Sequence, residues 1–151
     1  MNDSSRFAPH LTVATVVARQ GKLLFVEEHS AHGSVLNQPA GHLEADETLQ
    51  QAAVRETLEE TGWTVRLSAL IGLYQWNAPD GEAFVRVAFA AEPVSHDSAR
   101  QLDEGIVRTL WLSPAELKAE IERHRSPLVQ RVVEDYLGGS RHPLQLARSL
   151  L

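Results

Sequence analysis

Apolar and β-branched residues run from Leu11 to Ala18 and read as a strand. Gln20-Gly21 is a turn signal, so Lys22 to Glu28 is the returning strand of a hairpin, and the polar stretch His29 to Ser34 reads as a loop. The pattern then changes period. Thr48 is a good helix N-cap and Gln51, three residues on, completes a capping box. Ala52, Ala53, Val54 and Leu58 suit a helix interior, and Gly62 suits its C-terminal cap, which predicts a helix over Leu49 to Thr61.

Thr64 to Tyr74 is again β-branched and apolar, Asn77 to Gly81 is a turn, and Glu82 to Ala91 and Ile106 to Leu112 are further strands. Ser113-Pro114-Ala115-Glu116 is a second capping box with proline at the first helical position, predicting a helix to about His124. Pro127 opens a third helix that ends near Gly138-Gly139. Strands, a helix between strands, and helices at the end predict a mixed α/β fold, not a repeated βαβ unit.

The chain has 151 residues, which suits one domain over 1–151. Lys plus Arg is 14 and Asp plus Glu is 20, a net charge of −6. That balance argues against general binding to nucleic acid or an anionic membrane. There is no cysteine, which excludes a disulfide scaffold, a thiolate zinc site and a cysteine nucleophile. The opening Met1–His10 is polar, and no apolar run reaches transmembrane length, so a cytoplasmic protein is expected.

Glu56, Glu59 and Glu60 lie three and four residues apart and share one face of the first predicted helix. Like charges so placed repel. An oxygen-only cluster suits Mg²⁺ or Mn²⁺ better than Zn²⁺. A solvated acidic face is the plainer reading of three glutamates alone.

Their surroundings decide between the two. Gly41, Glu47, Arg55, Glu56, Glu59, Glu60 and Gly62 fit G-x5-E-x7-R-E-U-x-E-E-x-G-U over Gly41 to Trp63, where U is a bulky apolar residue. Seven fixed letters match by chance on the order of 10⁻⁹ per start position at average residue usage. Thr57 departs from the pattern at the first U. The stretch resembles the Nudix box, and the resemblance extends from about Pro9 to Leu144. It includes Asn37-Gln38-Pro39-Ala40-Gly41-His42, Gln75-Trp76-Asn77 and Arg125-Ser126-Pro127, which look like the NudJ phosphatase subgroup of bacterial Nudix hydrolases. Leu36 stands where that subgroup leads one to expect tryptophan.

The resemblance implies an α/β/α sandwich around a mixed sheet and metal-dependent hydrolysis of a diphosphate linked to another moiety. For this subgroup the substrates would be nucleoside di- and triphosphates and thiamine or hydroxymethylpyrimidine pyrophosphate. A nucleotide sugar or dinucleoside polyphosphate is the alternative within the family, and a non-catalytic ligand sensor the alternative outside catalysis. The partner would be a small phosphorylated molecule, and the assembly a monomer or small homo-oligomer.

By the same likeness the metal ligands are Glu56, Glu59 and Glu60, with a backbone carbonyl at Ala40 or Gly41. Gly41 also permits backbone angles closed to other residues. Glu56, Glu59 or a hydroxide on the metal would take the proton of the attacking water. Arg55, one residue before Glu56, is expected to point elsewhere and to orient the site through Glu47 or Glu44. Asp103 and Glu104 are candidates for a further acid from outside the box.

Three more residues are candidates for substrate contact. Arg86 interrupts an apolar strand on the face of Phe84 and Ala88; it clamps phosphate or pairs with Glu27 or Glu28. Trp76, at a strand end, stacks on a heteroaromatic ring or packs into the core. His42 adjoins the box loop and is placed to contact phosphate. Trp63 and Trp111 read as core.

Overall fold

A computed structural model describes residues 6–151, so the polar opening Met1–Ser5 lies outside the described residues. The strands are β1 (His10–Arg19), β2 (Lys22–Ser30), β3 (Gly33–Asn37), β4 (Ala40–His42), β5 (Trp63–Asn77), β6 (Ala83–His96) and β7 (Ile106–Leu112). The helices are α1 (Leu49–Thr61), α2 (Pro114–Ala119) and α3 (Pro127–Leu137).

The sheet order is β3-β2-β1-β6-β5, with β4 paired to β1 and β7 to β2. β1 runs parallel to β6 through eight pairs, from His10↔Phe84 to Val17↔Ala91. Only its last residues, Ala18 and Arg19, pair with β2. The sheet therefore splays along β1 into β4-β1-β6-β5 and β3-β2-β7, which leaves a cleft between the two parts.

Period-two alternation sends successive residues of β6 to opposite layers. Val87 and Phe89 pack with Val13, Leu70 and the Ala52–Ala53 face of α1. Ala88 and Ala90 pack with Leu117 of α2 and Val129, Val132 and Val133 of α3. Helices thus cover both faces of the mixed sheet, which is the expected sandwich.

The α1 bounds and caps agree with the sequence reading. Thr48 and Gln51 form both halves of the capping box, and Gly62 takes a left-handed φ of 76°. Other elements differ. The expected loop His29–Ser34 is mostly paired strand, because Ser30↔Gly33 and His29↔Ser34 extend the β2–β3 ladder and leave a two-residue turn. Its polar residues are tolerated because β3 is an edge strand, exposed on one side. The helix expected to reach His124 stops at Ala119 and continues as a 3-10 turn, Ile121–Arg123. There the chain is drawn to the sheet: Arg125 N donates to Leu36 O at 2.8 Å and His124 bridges to Leu36. β4 and a short 3-10 turn at Leu144–Leu146 carry too few residues for a periodic signal.

Thr57, the departure from the box, is fully buried. Its hydroxyl donates to Ala53 O at 2.8 Å and sits 2.7 Å from the hydroxyl of Thr15 on β1. A polar pair therefore replaces an apolar contact between α1 and β1, with each hydroxyl satisfied.

Candidate active site

The capped α1 presents its carboxylates toward the loop that joins β6 to β7 and toward β4. One carboxylate oxygen each from Glu56, Glu59 and Asp103 lie within 4.8 Å of one another. Asp103 is held there by its backbone N, which donates to Glu59 O at 3.1 Å. Glu104, the other loop acid, is exposed and is not in this cluster. The donors are all carboxylate oxygen, which fits a hard divalent cation.

Gly41 explains how Glu56 reaches this position. A Cβ on Gly41 would fall on the Glu56 carboxyl group, so the carboxylate occupies the space that a side chain would fill. Gly41 does not have a positive φ, so space rather than unusual backbone angles requires glycine here. Burial pushes the Glu56 carboxyl up, and the hydrogen bond from Arg55 opposes this.

Arg55 does pair with Glu47: Nη2 donates to Oε1 at 2.7 Å and Nε to Oε2 at 3.0 Å, a two-pronged fork. Glu44 lies 3.5 Å from Nη1. The expectation that Arg55 points away from Glu56 is wrong. Its long side chain turns along the helix, and Nη1 donates to Glu56 at 2.8 Å and to Glu59 at 3.1 Å. Nη2 also donates to His42 O at 3.1 Å. One guanidinium therefore ties the box loop, β4 and two carboxylates together. The hydrogen bonds from Arg55 hold Glu47 below the usual carboxylate range.

Glu60 stands apart from the tight trio. It is buried, and its Oε1 accepts from Ala40 N at 2.8 Å. Burial pushes its pKa up to about 9, with the nearby charges of Glu28, Glu56 and Asp103 acting in the same direction. Glu60 thus bonds to Ala40, a residue that lines the same cleft as Glu28.

That cleft contains a pocket of about 720 Å³. Gly41, His42, Trp76, Phe84, Arg86 and Arg125 are among the residues that line it. Gly41 thus touches both pocket and carboxylate cluster. Cross-strand register arranges side chains here in rows: Trp76↔Phe84↔His10 is aromatic, and Arg86↔Thr12↔His42 is polar. Phe84 stacks on His10 at 4.9 Å and meets Trp76 at 5.7 Å, so Trp76 belongs to the pocket wall and not to the core. His42 Nε2 is 3.0 Å from His10 Nδ1.

Arg86 is buried, and it pairs with neither Glu27 nor Glu28. Those carboxylates are engaged elsewhere, Glu27 by Arg108 and Arg123 and Glu28 by Arg125. Trp63 and Trp111 pack edge to face at 5.6 Å beside a core cluster, as expected, and carry Arg19 over their rings.

A family model described as the NUDIX domain matches residues 8–132, most of the chain and the whole of this site. The chain is a Nudix hydrolase. The Nudix enzyme is 44% identical over 140 residues to Phosphatase NudJ of Escherichia coli K12, covering 93% of this chain and 91% of that protein. Among solved structures, a NUDIX hydrolase from Nitrosomonas europaea aligns with a TM-score of 0.91 and 43% identity over 94% of this chain and 97% of its own. The Escherichia coli ORF135 protein, at 22% identity and a TM-score of 0.67, shares the fold. This Nudix hydrolase is therefore a phosphohydrolase related to NudJ, and its substrate is a small phosphorylated molecule. Nudix hydrolases generally use divalent metals, and Glu56, Glu59 and Asp103 form a carboxylate cluster in this chain. Among the described residues, no helix is long and apolar enough to cross a membrane.

The sequence reading missed the parts of the pocket that come from distant segments. Asn37 and Gln38 were legible only as family likeness, although two buried amides beside a proline are unusual in a strand run. Arg125 and Glu28 carry no local signal; they meet because the α2–α3 connection crosses β3.

Proposed function

We propose that this Nudix enzyme hydrolyses phosphoanhydride bonds of small di- and triphosphate compounds in a metal-dependent reaction. The substrates in this reading are nucleoside di- and triphosphates and thiamine or hydroxymethylpyrimidine pyrophosphate, as a NudJ-like phosphatase would take. The observation that carries it is the contact of one glycine, Gly41, with both the carboxylate cluster and a pocket that has a buried arginine and an aromatic wall.

Glu56, Glu59, Glu60 and Asp103, with the carbonyls of Ala40 and Gly41, would hold Mg²⁺ or Mn²⁺. Bound there, the ion supplies positive charge that offsets both the carboxylates and the substrate phosphates. Glu56 or Glu59 accepts the proton of the attacking water. Arg55 fixes Glu56 and Glu59 in place, with Glu47 as its anchor. The attacked phosphorus loses its bridging oxygen, which leaves with the remainder of the substrate. Arg86 and His42 contact phosphate, and Trp76 stacks on the heterocycle. The chain acts as one domain, as a monomer or small homo-oligomer in the cytoplasm.

The test is a panel of these compounds, with a nucleotide sugar and a dinucleoside polyphosphate included, assayed for phosphate and pyrophosphate with Mg²⁺, Mn²⁺ or chelator. The expected result is release from the nucleoside and pyrimidine compounds that stops with chelator. Full activity in chelator, or turnover of the nucleotide sugar alone, would overturn it.

A further inference from the structure

Arg86 is held in an unusual way. Its Nη1 donates to Gln38 Oε1 at 2.9 Å and its Nη2 to Asn37 Oδ1 at 3.3 Å. Both partners are neutral amides, and both are buried. The Nε–H is buried with no acceptor. Buried charges in proteins are ordinarily paired with an opposite charge, because removing an ion from water costs several kcal/mol. Here the nearest carboxylates with any influence, Glu28 and Glu60, act only at a distance, and Arg125 adds like charge. Burial accordingly lowers the Arg86 pKa, to about 10, which still leaves it cationic at neutral pH.

The amides are not free to turn. Gln38 Nε2 donates to Val129 O in the first turns of α3 at 2.8 Å, so Gln38 Oε1 must face Arg86. Gln38 thus locks the guanidinium to a helix packed in the core. This arrangement orients a cation without neutralising it. A structural ion pair would use a carboxylate at position 37, where the space and direction already suit one.

We propose that Arg86, presented by Asn37 and Gln38, is an anion receptor that binds a substrate phosphate without help from metal, and that the neutrality of the two amides is what keeps it available. The proposal rests on the reading of this pocket as the substrate site and assigns its phosphate affinity to a named charge. Arg86 lies between the aromatic row Trp76–Phe84–His10 and the Gly41 boundary. The phosphate it takes is therefore that of a compound with a heterocycle on one side and an anhydride chain directed toward the carboxylates. Asn37 and Gln38 act through Arg86 and are positioning residues.

Asn37→Asp separates this role from a structural one. The exchange is isosteric and breaks no hydrogen bond, since Asn37 engages Arg86 through its Oδ1, an atom the aspartate keeps. It gives Arg86 an internal counter-ion. A purely structural Arg86 would gain from the pair and lose nothing else. An anion receptor would gain in thermal stability and lose its ligand. The probe is methylenediphosphonate, titrated calorimetrically into wild type, Asn37→Asp and Arg86→Met in chelator buffer, with Tm measured for each. KM and kcat are then measured with metal on the best diphosphate of the panel.

The expected result for Asn37→Asp is a Tm at or above wild type. Its diphosphonate affinity falls, and its KM rises, roughly 10- to 100-fold, the loss of one charge-assisted hydrogen bond, while kcat changes much less. Arg86→Met loses the same affinity, which keeps the test open should the aspartate variant fold poorly. Unchanged diphosphonate affinity in either folded variant would overturn the proposal. Failure of the hydrolase reading would look different: wild type would turn over none of the panel with metal, whatever the chelator titrations gave.

Discussion

Gly41 and Glu56 occupy one volume: the carboxyl group of Glu56 rests where a Cβ of residue 41 would be. The box glycine and the box glutamate are fifteen residues apart in the chain (41 and 56) and are brought together because β4 packs beside α1. The glycine is needed to give the carboxylate its place against the strand, at the junction of pocket and cluster.

Gly41→Ala tests this directly. The backbone angles at Gly41 are open to alanine, so the fold tolerates the exchange, and the clash falls on the end of the Glu56 side chain and not on backbone. We expect kcat to fall roughly 10- to 100-fold, as for a misplacement of about 1 Å at a reacting group, with little change in Tm. Wild-type kcat would show that the Glu56 position does not matter.

Arg55→Lys keeps the charge and removes the fork that joins Glu47 to Glu56 and Glu59. Loss of such an orienting contact lowers activity or metal affinity roughly 10- to 100-fold. The pairs are partly exposed, so the stability cost, discounted for solvent screening, is about 1 kcal/mol. Kinetics with metal titration and urea unfolding measure both. A variant whose loss of activity tracks its loss of fold would reduce Arg55 to a structural residue.

Glu60 gives the metal-free protein a pH-dependent stability of defined sign. Its folded pKa, raised by burial to about 9, lies above the ordinary 4.5, so the folded state holds a proton that the unfolded state releases. Stability from this group is full below pH 4.5 and is lost as pH rises toward about 9. In chelator, Glu60→Gln should therefore match wild type in acid and exceed it in alkali, since the amide oxygen still accepts from Ala40 N. Thermal melts across that range check it. A parallel decline in both proteins would place the effect elsewhere.

Thr15 and Thr57 offer a double-mutant cycle. Thr57→Val leaves the buried Thr15 hydroxyl without its partner, at a cost of about 1–3 kcal/mol. Adding Thr15→Val removes the orphan, so the double variant should be less destabilised than the sum of the singles by about 0.5–3 kcal/mol. Strict additivity in chemical denaturation would show that the hydroxyls are not coupled.

Features that depend on near neighbours were legible in the chain. Thr48, Gln51 and Gly62 set the ends of α1, because caps act within one helical turn. The spacing of Glu56, Glu59 and Glu60 set one acidic helix face, and the surrounding Gly41–Trp63 pattern named the chemistry. Arg86 was conspicuous as a lone charge in an apolar strand. Tertiary structure decided everything that needed two distant segments. It brought Asp103, not Glu104, to the carboxylates, because the Asp103 backbone bonds to the end of α1. It turned Arg55 back onto Glu56, because Glu47 of the box loop and the His42 carbonyl of β4 hold the guanidinium there. It fixed Trp76 as pocket wall and gave Arg86 two amides instead of a carboxylate, because cross-strand register and the Val129 contact place those groups. Local bonding and periodicity act over a few residues and are written in the chain. Which charge meets which partner is settled only when β1, β6, α1 and α3 close around the cleft.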